Sequence, residues 1–241
     1  MTIYFKPGEV ERQVIAKGTP VALRRVQPRD SELLLRGFER LSPESRYRRF
    51  FGHKSALSPE EVRYLTDCDG PDHFAIAAVI ERPDGSEEGA GVARFIRLPQ
   101  DPRAAEGSIT VIDAFQRRGL GSLLARRLLA AAAEQGVDRL EFLVLSENEP
   151  MLVLLRKLGA KVQADARLGG SGVNLAVSTA PWATSGASTA KQISAAAGGR
   201  RSRHRAGKPD GPGARPSDPR CGGPDRGRAR ATNAAGRGRC S

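Results

Sequence analysis

One short stretch constrains the fold more than any other: VIDAFQRRGLGSLL, residues 111–124. An apolar strand-like run ends at Asp113, and a helical pattern carried by Leu120, Leu123, Leu124, Leu128 and Leu129 begins a few residues later. Gln116, Arg117, Arg118, Gly119, Gly121 and Ser122 occupy the step between them. A helix N-terminus carries unpaired N–H groups and partial positive charge, which together attract anions. Glycine permits positive φ and a close backbone approach, and the two arginines add full charges. The step therefore reads as a cradle for a phosphate or pyrophosphate. The spacing does not fit a P-loop, because no Lys follows Gly121. It does not fit a dinucleotide fingerprint either, because Leu124 stands where a third glycine belongs.

The surrounding pattern predicts a mixed α/β domain. Thr19–Val26 reads as a strand, and Pro28 and Asp30 open a helix with Leu34, Leu35, Phe38 and Leu41 on one face. SPESRYRRFF starts a second helix at Ser42. Ser58-Pro59-Glu60-Glu61 starts a third with a capping box. His73–Glu81, Gly89–Leu98 and Glu106–Asp113 read as three strands of an antiparallel meander, joined by the turns RPDGSE and DPRAA. A helix from about Arg118 to Gln135 stops at Gly136. Arg139–Leu145 is a strand, EPMLVLLRKLG a helix ending at Gly159, and AKVQADA with GVNLAVST a closing hairpin.

Charge divides the chain. The net +12 is concentrated in residues 191–241, which hold 13 of the 39 Lys and Arg but 3 of the 27 Asp and Glu. That segment carries one large aliphatic residue, Ile193, and is expected to be disordered. The expected organisation is an N-terminal extension over 1–18, a domain over 19–180 and a basic tail over 181–241. The tail's RGRAR and GRGRC are able to contact nucleic-acid phosphates, although no aromatic interleaves them; their GC-rich codons offer a second, incidental origin. Cys68 precedes the tail, and Cys221 and Cys240 lie in it, so no disulfide framework is expected. The N-terminus lacks the apolar run of a signal peptide, and no stretch approaches membrane-spanning length, so a cytoplasmic setting with no membrane partner is expected.

Two motifs together resemble the GNAT superfamily of acetyl-CoA-dependent N-acetyltransferases. QRRGLGS is similar to its [Q/R]-x-x-G-x-[G/A] signature, and NEPMLVLLRKLGA, Asn148–Ala160, resembles its later Asn-containing segment. The stretches LSPESRYRRFF, LSPEEVRYLT and AEGSITVIDAFQRRGLG further resemble the bacterial protein-lysine acetyltransferases of the Pat type. The resemblance covers about residues 20–180. It implies the GNAT fold, a mostly antiparallel mixed sheet flanked by helices. It also implies acetyl-CoA as co-substrate without a metal, and an amine as acceptor, either a protein lysine such as one on an acyl-CoA synthetase or a small amine.

The same resemblance implies roles for particular residues. Glu106 would be the general base that an ammonium of pKa about 10.4 needs before it can attack. Its neighbours Ala104, Ala105 and Gly107 suggest a less polar surround that would raise its basicity. Backbone N–H groups among Ile109, Thr110 and Val111 would polarise the acetyl carbonyl. Gln116 to Ser122 would hold the diphosphate. Asn148 would serve the pantetheine arm, an N-cap, or both. Many GNAT enzymes have a Tyr acid seven residues after this Asn; here Leu155 stands there and cannot donate. With that acid missing, a non-catalytic acyl-CoA sensor or a basic-tailed nucleic-acid adaptor stands as the alternative.

Other polar stretches read as structural. DCDGPDH, residues 67–73, reads as a turn, although its Asp, Cys and His are metal-ligand types. Arg46, Arg48 and Arg49 read as a solvated helix face or as contacts to substrate or the CoA ribose. Arg126, Arg127 and Arg139 read as surface.

Overall fold

The computed structural model describes residues 5, 8–68, 70–163 and 171–183. The expected disordered tail, its nucleic-acid motifs, Cys221, Cys240, Asp69 and residues 164–170 lie outside the described residues, except that 181–183 are described.

The described chain forms eight strands: β1 Val10–Ile15, β2 Thr19–Arg25, β3 His73–Glu81, β4 Glu87–Leu98, β5 Asp101–Val111, β6 Arg139–Leu145, β7 Lys161–Gln163 and β8 Gly172–Ser178. They build one sheet in the order β1-β2-β3-β4-β5-β6-β8-β7. Every pairing is antiparallel except β5 with β6. Five helices accompany the sheet: α1 Ser31–Glu39, α2 Pro43–Phe50, α3 Pro59–Thr66, α4 Leu120–Glu134 and α5 Glu149–Lys157. The meander, the α4 helix and the β6–α5 unit stand where the sequence pattern puts them.

Helix starts follow local chemistry. Ser58 accepts from Glu61 N while Glu61 accepts from Ser58 N, so both exposed donors at the start of α3 are satisfied, as the sequence predicts. Ser42 caps α2 in the same way through Ser45 N, with Pro43 in the first turn. The larger core lies between the sheet and α4. Leu120, Leu124, Leu128 and Leu129 are buried there with Phe95, Leu140 and Phe142, and each such side chain contributes about 1.5–3 kcal/mol. On the opposite face, Phe38 of α1 and Val62 of α3 pack with Leu57. β3 is buried on both faces; its Ala75 and Ala78, both inaccessible, let helices approach closely.

Four sequence expectations change. Residues 10–15, placed in an N-terminal extension, pair with β2 along their whole length, and Arg127, read as surface, forms an ion pair with Glu11 that fastens β1 to α4. DPRAA is not a turn: the chain reverses at Pro99-Gln100, and Asp101 already belongs to β5. Asp101 accepts from Arg139 of β6 at 2.8 Å, so an Asp-Pro pair that favours turns locally is held extended by its neighbours. Arg139, also read as surface, therefore works between two strands.

A buried ionic cluster anchors the start of α1. Arg24 donates to both oxygens of Asp30 at 2.8 Å and to Glu87. Asp30 also accepts from Gln27 N. The buried cation thus has two counter-charges.

Candidate functional site

The site begins at a fork in the sheet. β5 and β6 run in parallel only through Ala104–Arg139, Ala105–Leu140 and Glu106–Glu141. Beyond Glu106, β5 stays with β4 up to Val111–Gly91, and β6 stays with β8 up to Leu145–Gly172. The two strands diverge, and Phe142 sits at the fork against Gly107. A Cβ on residue 107 would lie 2.6 Å from two carbons of that ring, so only glycine lets the ring seat there.

The divergence frees backbone groups. Hydrogen bonds alternate along an antiparallel ladder. Ile112 N donates to Ala90 O of β4, so Thr110 and Ser108 turn their backbone groups toward β4 as well. Ile109 and Val111 then turn theirs away from β4, into the gap. Two bonds on the gap side support this parity: Asp138 N donates to Arg103 O, and Gln116 Nε2 donates to Val111 O at 3.0 Å. Of the three residues expected to offer amides, Ile109 and Val111 present them to the gap, while Thr110 spends its own in the ladder.

The gap opens into a cleft of about 770 Å³. Glu106 to Val111 form one wall, and Phe142, Leu143 and Val144 with Asn148, Met151 and Leu154 form the other. At the far end lies the glycine step. Gly119 has φ +84°, an L-residue-disfavoured conformation, and Arg117 has φ +55°. α4 starts there without any side-chain cap, so its first N–H groups stay available. Gly121 has room above it: a Cβ would meet only Leu154 at 3.7 Å and Val111 at 3.9 Å. The residues present fit a diphosphate: bare amides, a cation at Arg117 and space at Gly121.

Most sequence-named residues come together here. Glu106, Ile109, Thr110, Val111, Gln116, Arg117, Gly119, Gly121, Ser122 and Asn148 line the cleft. Two do not. The Arg118 guanidinium lies over the Phe115 ring, 5.6 Å from its centroid, and the Leu120 side chain is fully buried in the core. Asn148 caps α5, accepting from Met151 N at 3.4 Å. Leu155 is inaccessible, whereas its neighbour Leu154 reaches the cleft. Glu106 is exposed rather than sheltered by its small neighbours, because the fork leaves its side open.

The roof comes from α2, and only part of it was legible in the sequence. Arg46 folds back onto Leu41 O and Glu39 O and lies 4.5 Å over the Phe38 ring, so it is structural. Arg48 and Arg49 line the cleft, joined by Ser45, which no motif marked. Asp113 latches α2 to the glycine step: it accepts from Ser42 N, Ser42 Oγ and Ser45 Oγ. Burial works against its charge, yet these hydrogen bonds hold its carboxyl below the usual range. Gln116 completes the latch by reaching Ser45 Oγ at 3.2 Å.

Within the stretch 67–73, residues 70–72 form a bend and His73 opens β3. The His73 ring packs on Tyr64 with 4.9 Å between centroids, and its Nε2 lies 3.1 Å from Arg94 Nη1. Burial and the Arg94 charge push the imidazole down to about 4.

Comparison with known proteins gives a consistent picture. A family model described as an acetyltransferase (GNAT) domain matches residues 21–161. The acetyltransferase Pat of Mycolicibacterium smegmatis is 36% identical over 145 residues, 57% of this chain and 40% of that protein. The present chain therefore aligns with less than half of that relative's length. The acetyltransferase PA5475 of Pseudomonas aeruginosa is 28% identical over 148 residues, 61% of this chain and 78% of that one. Among solved structures, the GNAT domain of S. lividans PAT superposes with a TM-score of 0.64 at 27% identity, covering 72% of this chain and 99% of that one.

Proposed function

The chain belongs to the GNAT acetyltransferase family, and on that premise we propose that its cleft takes acetyl-CoA and passes the acetyl group to an amine, a lysine of a protein such as an acyl-CoA synthetase. The observation that carries this reading is the fork. It leaves Ile109 and Val111 with backbone groups unclaimed by any strand, at one end of a cleft whose other end is the uncapped start of α4.

Each part of the cleft has a chemical task. The N–H groups at Gly119–Ser122 and the Arg117 cation receive the diphosphate of CoA. The pantetheine arm, itself a chain of amides, takes the place that β6 vacates along β5. An N–H on the freed edge then donates to the thioester carbonyl oxygen and strengthens that bond as the oxygen gains negative charge. Glu106, at the mouth of the fork, takes one proton from the acceptor ammonium. The freed amine nitrogen attacks the thioester carbon, a C–N bond forms, and collapse of the tetrahedral adduct breaks the C–S bond. As the adduct collapses the acetylated nitrogen loses its second proton, which passes through water to the leaving thiolate or to solvent, since Leu155 is buried and apolar and cannot donate one.

The test is thiol release from acetyl-CoA in the presence of acceptor. Amine-dependent release and an intact-mass gain of one acetyl group on a protein acceptor support the reading. Failure to bind CoA in calorimetry would remove it.

A further inference from the structure

α1 and α3 enclose a second, smaller space against β3 and β4, a cavity of about 100 Å³. Its walls are mostly aliphatic and aromatic, among them Leu33, Leu34, Phe38 and Leu65. Two guanidinium groups also line it, Arg49 from α2 and Arg94 from β4. Arg49 lines the large cleft as well, on the side where Glu106 stands. It is thus shared between the two spaces.

These arginines lack the compensation that Arg24 enjoys. Arg94 is 3% exposed, yet its partners are His73 and the backbone oxygen of Leu65, both uncharged near neutral pH. Arg49 lies over the Phe50 ring at 5.1 Å. Among the described residues neither forms an ion pair with a carboxylate, and Asp30, the acid lining the cavity, is already taken by Arg24. Desolvation lowers the proton affinity of both groups, and the Arg49 charge lowers that of Arg94 further. Glu106 is the carboxylate whose charge Arg49 feels, and no carboxylate acts on Arg94, so two sheltered cations share one acid, and a ligand anion relieves the excess positive charge. A planar carboxylate suits a guanidinium fork, and the apolar walls accept the methylenes that carry it.

We propose that the acceptor carries a carboxylate close to its amine, and that Arg49, backed by Arg94, receives it at the Glu106 end of the cleft. This rests on the acetyl-transfer reading above and names the acceptor class for it. The carboxylate has two sources: an acidic side chain beside the lysine of a protein, or the α-carboxylate of a free amino acid.

The experiment uses the full chain, acetyl-CoA and two matched acceptor pairs. One pair is a peptide with Lys beside Asp and the same peptide with Asn in place of Asp. The other is L-lysine and 1,5-diaminopentane, which lacks the carboxylate. In at least one pair, the carboxylate-bearing member is expected to show a kcat/KM about 10–100-fold higher, the worth of a hydrogen bond to a charged group. Which pair shows it identifies the source. In Arg49→Gln that ratio is expected to fall to about twofold or less. Equal rates within both pairs overturn the carboxylate inference while acetyl transfer stands, and a ratio that survives in a folded Arg49→Gln overturns the role of Arg49. Absence of amine-dependent thiol release with all four acceptors overturns both readings. The acceptor comparison in the unaltered protein decides the matter even where the variant does not fold.

Discussion

The two halves of β5 differ in one respect, and the site follows from it. At Ala105 and Glu106 the strand is paired on both edges, and Ala104, beside an irregularity on the β4 side, pairs with β6; Ala104 and Ala105 are inaccessible. From Gly107 to Val111 it keeps β4 and loses β6. Unpaired backbone groups are expensive only where water cannot reach them. The open cleft lets the second half keep them, ready for a ligand whose own amides can replace a strand. The first half holds the sheet, and the second half offers its edge.

The sharpest way to break this contrast is at its boundary. Glu106→Gln is expected to lower turnover by about 10²–10⁴-fold, the usual contribution of a general base, with CoA affinity nearly unchanged. Turnover at the original rate would remove Glu106 from the chemistry. Next in size is the far end of the open half: Arg117→Ala is expected to weaken CoA binding about 10–100-fold by calorimetry, since a charge-assisted contact is lost. Identical affinity would place the diphosphate elsewhere.

The fork itself is tested by Gly107→Val. The added carbons collide with the Phe142 ring, so a stability loss of about 1–3 kcal/mol is expected in urea unfolding. An unchanged midpoint would mean that the ring is free to move and does not wedge the strands. The smallest effect is a pH dependence at His73. Its folded proton affinity is depressed to about 4, so the unfolded chain binds the extra proton first. Stability is expected to be full above the ordinary histidine value of about 6.5 and to decline as pH falls from there toward about 4. His73→Gln should flatten that slope, and a slope unaltered by the change would assign it to other groups.

Much of the fold was legible because it is local. The Ser58–Glu61 capping box, the leucine stripe of α4 and the glycines at 119 and 136 act within a few residues of themselves. The misreadings share a cause. Val10–Ile15 alternates weakly and buries chiefly Ile15, so its identity as a strand depends on β2 and on the distant Arg127. Asp101-Pro102 has turn chemistry, yet β4, β6 and Arg139 hold it extended. The three arginines of α2 look alike in sequence, and only packing separates Arg46, bound to carbonyls, from Arg48 and Arg49, which reach the cleft.

The sequence by itself determined the order of elements from β2 onward and the glycine step with its uncapped helix start at Gly119–Ser122, because φ preference and helix-end polarity depend on neighbouring residues alone. Only the tertiary structure decided that β5 and β6 part after Glu106, that Ile109 and Val111 rather than Thr110 face the gap, and that Arg49 stands on the wall shared with Arg94. Those outcomes depend on which strand edges meet and where a ring such as Phe142 finds room, and such contacts join residues far apart in the chain.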